Sequence, residues 1–233
     1  MKILAIIPAR RGSKGVPGKN IKLLGELPLL AYTAKSAVAS QLLTKVVLST
    51  DCSDIANVAK QFGIEVPFIR PKDLATDSAS SISVVQHAIS YLENQGEFFD
   101  AVCLLQPTAP FRPKGFIDVA LQKFVKEEAD ALVSVLPVPH EFNPHWVFEP
   151  NEKGFLQTAT GEAEIITRRQ DLPPAFFRDG AIYITKTSVI KEGSFYGKKL
   201  SYLQSHPDFY VNIDTLADWE EAIAKLPLLK TQL

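Results

Sequence analysis

The sequence is poor in the features that mark secreted, membrane-spanning or nucleic-acid-bound proteins. Only two cysteines occur in 233 residues. Cys52 and Cys103 lie far apart and form no CxxC pair, which excludes a disulfide framework and fits a reducing compartment. Cys103 sits in the apolar run AVCLL and reads as a small core residue. No uninterrupted apolar stretch approaches the ~20 residues of a membrane helix. The opening MKILAIIPARR begins like a secretory leader, but Pro8 and Arg10 end its apolar part too early. The expectation is a soluble, cytoplasmic chain. An excess of charge is missing as well: 25 Lys and Arg against 26 Asp and Glu leave a net charge of -1. Nothing global attracts nucleic acid or an anionic membrane, so any anion site must be a local cluster. Histidine is scarce too, and His140 and His145 lack the Cys or carboxylate neighbours of a structural zinc site.

What is present is alternation. KILAIIPA (Lys2–Ala9), KVVLST (Lys45–Thr50), EVPFIR (Glu65–Arg70), AVCLLQ (Ala101–Gln106) and ALVSVLPV (Ala131–Val138) read as strands, mostly apolar on both faces. Between them LLAYTAKSAVAS, DIANVAKQFG, SSISVVQHAISYLENQG and GFIDVALQKFVKEEA have helical spacing, with Gly63 and Gly96 as stops. This pattern predicts a parallel sheet covered by helices on both faces. The rhythm breaks from Pro137 to Pro174, a stretch rich in proline, aromatics and charge. A structureless loop of that length is improbable in a compact domain, so it reads as a small fold of its own or as a surface packed on a partner. GAIYITKTSVI (Gly180–Ile190) and YVNIDTLADWEEAIAKL (Tyr210–Leu226) each read as a strand running into a helix.

The most informative stretch follows the first strand. Ligands of open α/β sheets bind beyond the C-terminal strand ends. There, Arg10 to Lys22 carries five basic side chains and no acidic one. Gly12, Gly15 and Gly18 let the backbone approach a ligand and aim N–H groups at it. Together these make a site for several phosphates. It is not a P-loop: GSKGVPGKN has one residue too many before Gly18–Lys19, and Asn20 replaces the metal-binding hydroxyl. The dinucleotide fingerprint GxGxxG also fails, because the glycines fall as GxxGxxG. The competing reading is a solvated basic turn.

IIPARRGSKGVPGKN closely resembles the N-terminal signature of the CMP-sialic acid synthetases (acylneuraminate cytidylyltransferases). The resemblance continues in collinear order through LSTD, RPKDLATDSASS, LLQPTAPFR, RRQDLPPAFFRDGAIYI and NIDTLADW, across nearly the whole chain. It implies a three-layer α/β/α Rossmann-like nucleotidyltransferase fold with a mainly parallel, mixed sheet. Residues 1–138 and 175–233 would form that domain, and 139–174 an inserted dimerisation element. The implied reaction joins CTP to a nine-carbon 2-keto sugar acid and releases pyrophosphate, by attack of the anomeric hydroxyl on the α-phosphorus. The nearest rival, 3-deoxy-manno-octulosonate cytidylyltransferase, shares the opening but continues K-P-L where this chain has GKN. From another class, the same fold could serve as a nucleotide-binding module that has lost catalysis.

The resemblance also assigns candidate residues. Arg10 and Lys19 match triphosphate contacts with catalytic roles, and Ser13, Lys14 and Gly15 lie along the same loop. Asn20, Arg70 and Ser81 match contacts to the ribose and cytosine; a surface arginine and a helix N-cap compete for the last two. Asp77 orients this loop or caps the helix beginning near Ser78. On the sugar side Gln106, Asp179, Gly180 and Tyr183 match the pocket lining, with a core tyrosine as the rival for Tyr183. Arg169 aligns with the carboxylate-binding arginine, and spacing alone does not exclude Arg168. Phe195 and Tyr196 match an aromatic pair that approaches the N-acyl group from the other subunit. Mg²⁺ (or Mn²⁺) is implied as cofactor. Asp214 is its principal ligand and Asn212, standing where the family commonly has an acid, a weak or water-mediated one. Asn212 cannot act as a general base. Arg112 reads as a surface charge or a contributor to the anion site, and Asp51 as a turn cap or a nucleotide-side acid. The expected assembly is a homodimer or a dimer of dimers, with Phe142, Trp146, Phe148 and Phe155 as interface anchors.

Overall fold

The computed structural model describes residues 1–232. Six strands form one sheet, in the spatial order β10 (Leu200–Gln204), β6 (Ala131–Pro137), β9 (Phe176–Lys186), β5 (Ala101–Leu104), β1 (Ile3–Pro8) and β4 (Lys45–Ser49). A separate short ribbon pairs β2 (Leu23–Leu24) with β3 (Leu27–Pro28). β1 runs parallel to β4 and β5, and β10 parallel to β6. β9 alone is antiparallel to both of its neighbours, which makes the sheet mixed.

Two faces of apolar side chains explain the layers. On one face Ile3, Ala5, Ile7 and Cys103 pack against Leu30 and Ala34 of α1 (Leu29–Ala39), Ile55 of α2 (Ser53–Gln61) and Phe124 of α4 (Phe116–Lys126). On the other, Leu4, Ile6, Val102 and Leu104 meet Val85, Ala88 and Leu92 of α3 (Ser81–Asn94) and Ile190 of α5 (Thr187–Lys191). Strands with both faces covered read as continuous apolar runs, which is why they were legible. A third core joins Val16, Leu24 and Leu29 to Phe209, Ile213 and to Trp219 and Ala222 of α6 (Leu216–Leu229). Thr215 caps α6 in a reciprocal capping box with Asp218.

Three expectations are corrected. EVPFIR is not a strand: only Glu65 makes an isolated bridge, to Val47. Pro67 has no N–H for a ladder, and Arg70 turns inward instead. Tyr210–Asp214 is no strand either; its single backbone bond to the sheet side is Ile213 N–H to Thr108 O, 2.8 Å. The edge strand is LSYLQ, β10, which the sequence reading passed over. Between β6 and β9 the chain forms short 3-10 turns and a hairpin, β7 (Phe148–Pro150) with β8 (Leu156–Thr158). Here Phe142 and Phe155 are 66% and 70% exposed. Trp146 is not an outward anchor, because its indole N–H donates to Ile166 O and ties the segment together.

Candidate functional site

The basic loop leaves β1 at Pro8 and is pinned at its middle by Val16, which is fully buried against α6. Burying one such side chain contributes roughly 1.5–3 kcal/mol, enough to fix an otherwise glycine-rich segment. Gly15 is required by contact: a Cβ there would stand 1.8 Å from the carbonyl oxygen of Asp214. Gly18 turns the chain with φ +63° into the 3-10 turn Lys19–Ile21.

Lys19 and Asn20 are buried, and both are engaged. Lys19 Nζ donates to Ile213 O at 2.6 Å and to Asp214 Oδ1 at 3.1 Å. Asn20 Nδ2 donates to Arg10 O at 2.9 Å, holding the start of the loop to its end. Asp214 keeps an exposed carboxylate, whose second oxygen accepts from Asn212 Nδ2 at 2.8 Å. Asp218 accepts the backbone N–H groups of Asp214 and Thr215, and these bonds hold its carboxyl below the usual range. The third core and a capping box thus bring the first and last thirds of the chain together at one point.

An open crevice of about 290 Å³ lies there. Arg10, Gly12, Ser13, Lys19, Asn20 and Asp214 form one wall, Arg70, Leu74, Thr76, Asp77, Ala79, Ser81 and Val84 another, and Gln106, Pro107 and Thr108 the floor at the end of β5. Arg70 is not a surface arginine: it is 4% exposed, donates to Ser49 Oγ at 3.0 Å and to the Ser49 carbonyl, and burial lowers its pKa to about 10. Ser80, not Ser81, caps α3 by accepting from Ser83 N–H, which leaves Ser81 at the first turn facing the crevice. Asp77 does not cap the helix. Its carboxylate accepts from Lys14 at 2.6 Å and from Arg10 at 2.5 Å, and both hydrogen bonds hold its pKa below the ordinary carboxylate value. Lys14 and Gly15 are not part of the lining; Lys14 is exposed, with its ammonium on Asp77 at the crevice edge. Asp51 accepts from Arg11 N–H at 2.9 Å, a turn contact.

The sugar-side candidates are dispersed. Gly180 abuts Gln106, since a Cβ on it would come 3.3 Å from Gln106 Oε1. Asp179 is buried outside the crevice, where the hydroxyls of Ser134 and Ser205 donate to its two oxygens. Tyr183 is half-buried against Phe195, with ring centroids 6.2 Å apart, and burial raises its pKa. Phe195 and Tyr196 pack on their own chain: Tyr196 Oη accepts from Arg178 Nη1. Arg169 stands exposed on the 3-10 turn Arg169–Asp171, apart from the crevice, and Arg168 pairs with Asp171 at 2.6 Å. Arg112 is neither a surface charge nor an anion contact. It is 2% exposed and donates to Ala181 O, Thr33 Oγ1 and Gln106 O at 2.9–3.0 Å.

A family model described as cytidylyltransferase matches residues 4–226. The chain belongs to the cytidylyltransferase family. CMP-N,N'-diacetyllegionaminic acid synthase of Legionella pneumophila is 38% identical over 223 residues, covering 94% of each chain. Pseudaminic acid cytidylyltransferase of Campylobacter jejuni is 36% identical, covering 95% of each. These relatives set the chain among cytidylyltransferases of the CMP-sialic acid synthetase type. The solved structure of CMP:2-keto-3-deoxy-manno-octonic acid synthetase with CTP has a TM-score of 0.72 at 15% identity, covering 98% of this chain and 99% of that one. At that identity it bears on the fold alone, the nucleotidyltransferase α/β fold. The cytidylyltransferase is an enzyme of the nucleotidyltransferase class.

Sequence reading missed several crevice residues of this cytidylyltransferase. Leu74, Thr76 and Ala79 lie inside RPKDLATDSASS, but no local pattern shows which residues of that stretch face inward. Thr108 was legible only as loop, although its carbonyl takes the Ile213 N–H and so links the floor to the Asp214 wall. Among the described residues no group of three or more His, Cys, Asp and Glu gathers, and no helix is long and apolar enough to cross a membrane.

Proposed function

We propose that the enzyme joins CTP to a nonulosonic acid, giving the CMP-sugar and pyrophosphate. The observation that carries this is the crevice wall on which Arg10, Lys19 and Asp214 converge, locked by the Gly15–Asp214 contact. Phosphoryl-type transfer to an alcohol asks chiefly for positioning and for charge stabilisation. Arg10 and Lys19 supply fixed positive charge along a triphosphate, with Ser13 and loop N–H groups beside them. Arg70, Asn20 and Ser81 border the place for the ribose and cytosine. Gln106 stands at the end of β5 where the sugar acid's reacting end would rest; Arg169, which the resemblance assigns to its carboxylate, stands apart from the crevice.

The donor set at Asp214 fits a divalent ion held jointly with substrate: one exposed carboxylate suits Mg²⁺, which takes few protein ligands and completes its shell with phosphate oxygens and water. Asp214 would hold the ion and Asn212, whose amide leans on that carboxylate, would contribute weakly or through water. Bound there, Mg²⁺ would neutralise charge developing on the departing pyrophosphate. Residues 139–174 serve as a dimerisation element in this reading, because their exposed Phe142, Phe148, Phe155 and Leu156 need a partner.

The reading is tested by following pyrophosphate release with CTP, Mg²⁺ and a panel of sialic, pseudaminic, legionaminic and 3-deoxy-manno-octulosonic acids. Turnover with a nine-carbon acid is expected. Silence with all of them, or turnover with the eight-carbon acid alone, would overturn it.

A further inference from the structure

Next to the crevice floor the strand pairing is broken. Val133 of β6 pairs with Tyr183 of β9 and Val135 with Arg178, so Ser134 alone stands opposite residues 179–182. A bulge of this size leaves backbone groups without ladder partners, and buried ones must be satisfied in another way. Side chains supply the bonds. Ile182 N–H donates to Ser134 Oγ at 2.8 Å, and the Ser134 hydroxyl donates in turn to Asp179. Asp179 Oδ1 also accepts Ala181 N–H at 3.0 Å, while its second oxygen accepts from the Ser205 hydroxyl. The carbonyl of Ala181 accepts from Arg112 Nε at 2.9 Å. One buried carboxylate and one buried guanidinium thus hold both polar backbone groups of Ala181.

The same guanidinium reaches the floor. Arg112 Nη2 donates to Gln106 O and Nη1 to Thr33 Oγ1 of α1, each at 3.0 Å. Its donors belong to one rigid plane, so the carbonyls of Gln106 and Ala181 are kept at a fixed separation. The side chain of Gln106 meets the neighbouring bulge, where a Cβ on Gly180 would come 3.3 Å from Gln106 Oε1. Gly180 has φ +81° and offers bare backbone to that carboxamide. Gln106 lines the crevice, whereas Arg112 and Asp179 do not. The hydrogen bonds of both charges go to neutral groups. Buried charges are weak sources of stability compared with apolar packing. What they supply here is a defined direction for each bond.

Resting on the function proposed above, we propose that Arg112 and Asp179 are positioning residues for Gln106. Through Ala181 and the Gln106 carbonyl they set the Gln106 carboxamide against Gly180, in the place where it meets the sugar acid. Neither touches a substrate. Asp179 serves the sugar side from outside the crevice, through the bulge it holds together.

The test is a double-mutant cycle over the wild type, Arg112→Lys, Gln106→Ala and the pair. It is read in kcat/KM for the acid of the panel that turns over fastest, at saturating CTP. Arg112→Lys keeps the charge and loses the planar fork. A reacting group misplaced by about 1 Å costs up to roughly 10²-fold, so kcat/KM for the acid falls roughly 10- to 100-fold. The Kd for CTP, from calorimetric titration, stays within about threefold. In the Gln106→Ala background the same substitution costs less than about threefold, because residues that act through one another are non-additive. Asp179→Asn keeps the shape and one carbonyl acceptor; it repeats the pattern with a smaller loss, and carries the test alone where Arg112→Lys fails to fold. A full loss in both backgrounds, a parallel fall in CTP affinity, or no loss in either folded variant would overturn the proposal and leave the cytidylyltransferase reading standing. A wild type that binds CTP yet turns over no acid sinks both.

Discussion

The carbonyl oxygen of Asp214 occupies the space that a side chain on Gly15 would need, 1.8 Å from the position of its Cβ. A methyl group there has to push apart the two strips of chain that carry Lys19 and Asp214. Displacements near 1 Å in a positioned site cost about 10²-fold in rate. Gly15→Ala is expected to lose on the order of 100-fold in kcat while circular dichroism reports an intact fold. Wild-type activity in that variant would show that the contact does not set the site.

Asp77 holds Lys14 and Arg10 in the ligand-free chain, where a triphosphate would otherwise find them. Its carboxyl is depressed below the ordinary value by those two partners. The sign follows: the ion pairs are present above the unfolded carboxylate pKa and lost only as pH falls through the lower, folded value. At neutral pH they compete with the substrate. Asp77→Asn removes the competitor and keeps the shape, so the Kd for CTP should tighten about 2- to 5-fold, the scale of exposed ion pairs. Calorimetric titration with CTP measures this. Weaker binding would show that Asp77 instead positions the cations for the bound state.

Asp214 and Asn212 make separable predictions. Asp214→Ala is expected to abolish pyrophosphate release while leaving CTP affinity within about threefold, since one exposed carboxylate adds little to ground-state binding. Asn212→Asp restores a second acid beside it and should leave kcat equal or raised at limiting Mg²⁺. Loss of activity in Asn212→Asp would mean that its N–H to Asp214, 2.8 Å, is needed as it stands.

Most of the architecture was legible because β1, β4, β5 and β6 are covered on both faces and so appear as unbroken apolar runs. β10 was not: Leu200 and Tyr202 of this edge strand are exposed, and LSYLQ alternates without an apolar run. Glu65–Arg70 misled because its apolar residues go to separate places and form no ladder: Phe68 enters the α3 core, Val66 packs against the opposite one, and Ile69 is exposed. At the site, the basic loop announced itself by charge and glycine. Its tie to Asp214 spans about two hundred positions and only folding could reveal it. Arg112 shows the limit most plainly. In LLQPTAPFR it stands beside crevice residues, yet it points into the core, and nothing local distinguishes a buried arginine from a surface one.

Arg112 also gives a stability prediction. Its guanidinium satisfies Ala181 O, Thr33 Oγ1 and Gln106 O in the interior, and burial lowers its pKa to about 10. Arg112→Met keeps volume but leaves three buried partners without a donor. The expected cost is about 3–5 kcal/mol, the range for breaking a buried charged network. It is measured by urea unfolding with the m-value checked for two-state behaviour. Because Gln106 O is one of the three, KM for the sugar acid should rise in whatever fraction stays folded. A stability loss under 1 kcal/mol would mean that water replaces the guanidinium.

The segment between β6 and β9 exposes Phe142, Phe148, Phe155 and Leu156 within 15 residues. A cluster of this kind on a solvent face marks an interface. Its inner side is already occupied: Trp146 donates to Ile166 O and Asn143 Nδ2 to Pro173 O. The outer side therefore has only another molecule to cover it, and a second copy of the chain is the occupant proposed above. Phe155→Glu places a charge in that patch without touching the two internal bonds. Sedimentation velocity is expected to show a dimer for the wild type and a predominantly monomeric Phe155→Glu, with thermal unfolding of the variant becoming independent of protein concentration. A variant that stays dimeric, or a wild type that is monomeric at tens of micromolar, would remove the assembly role from this segment.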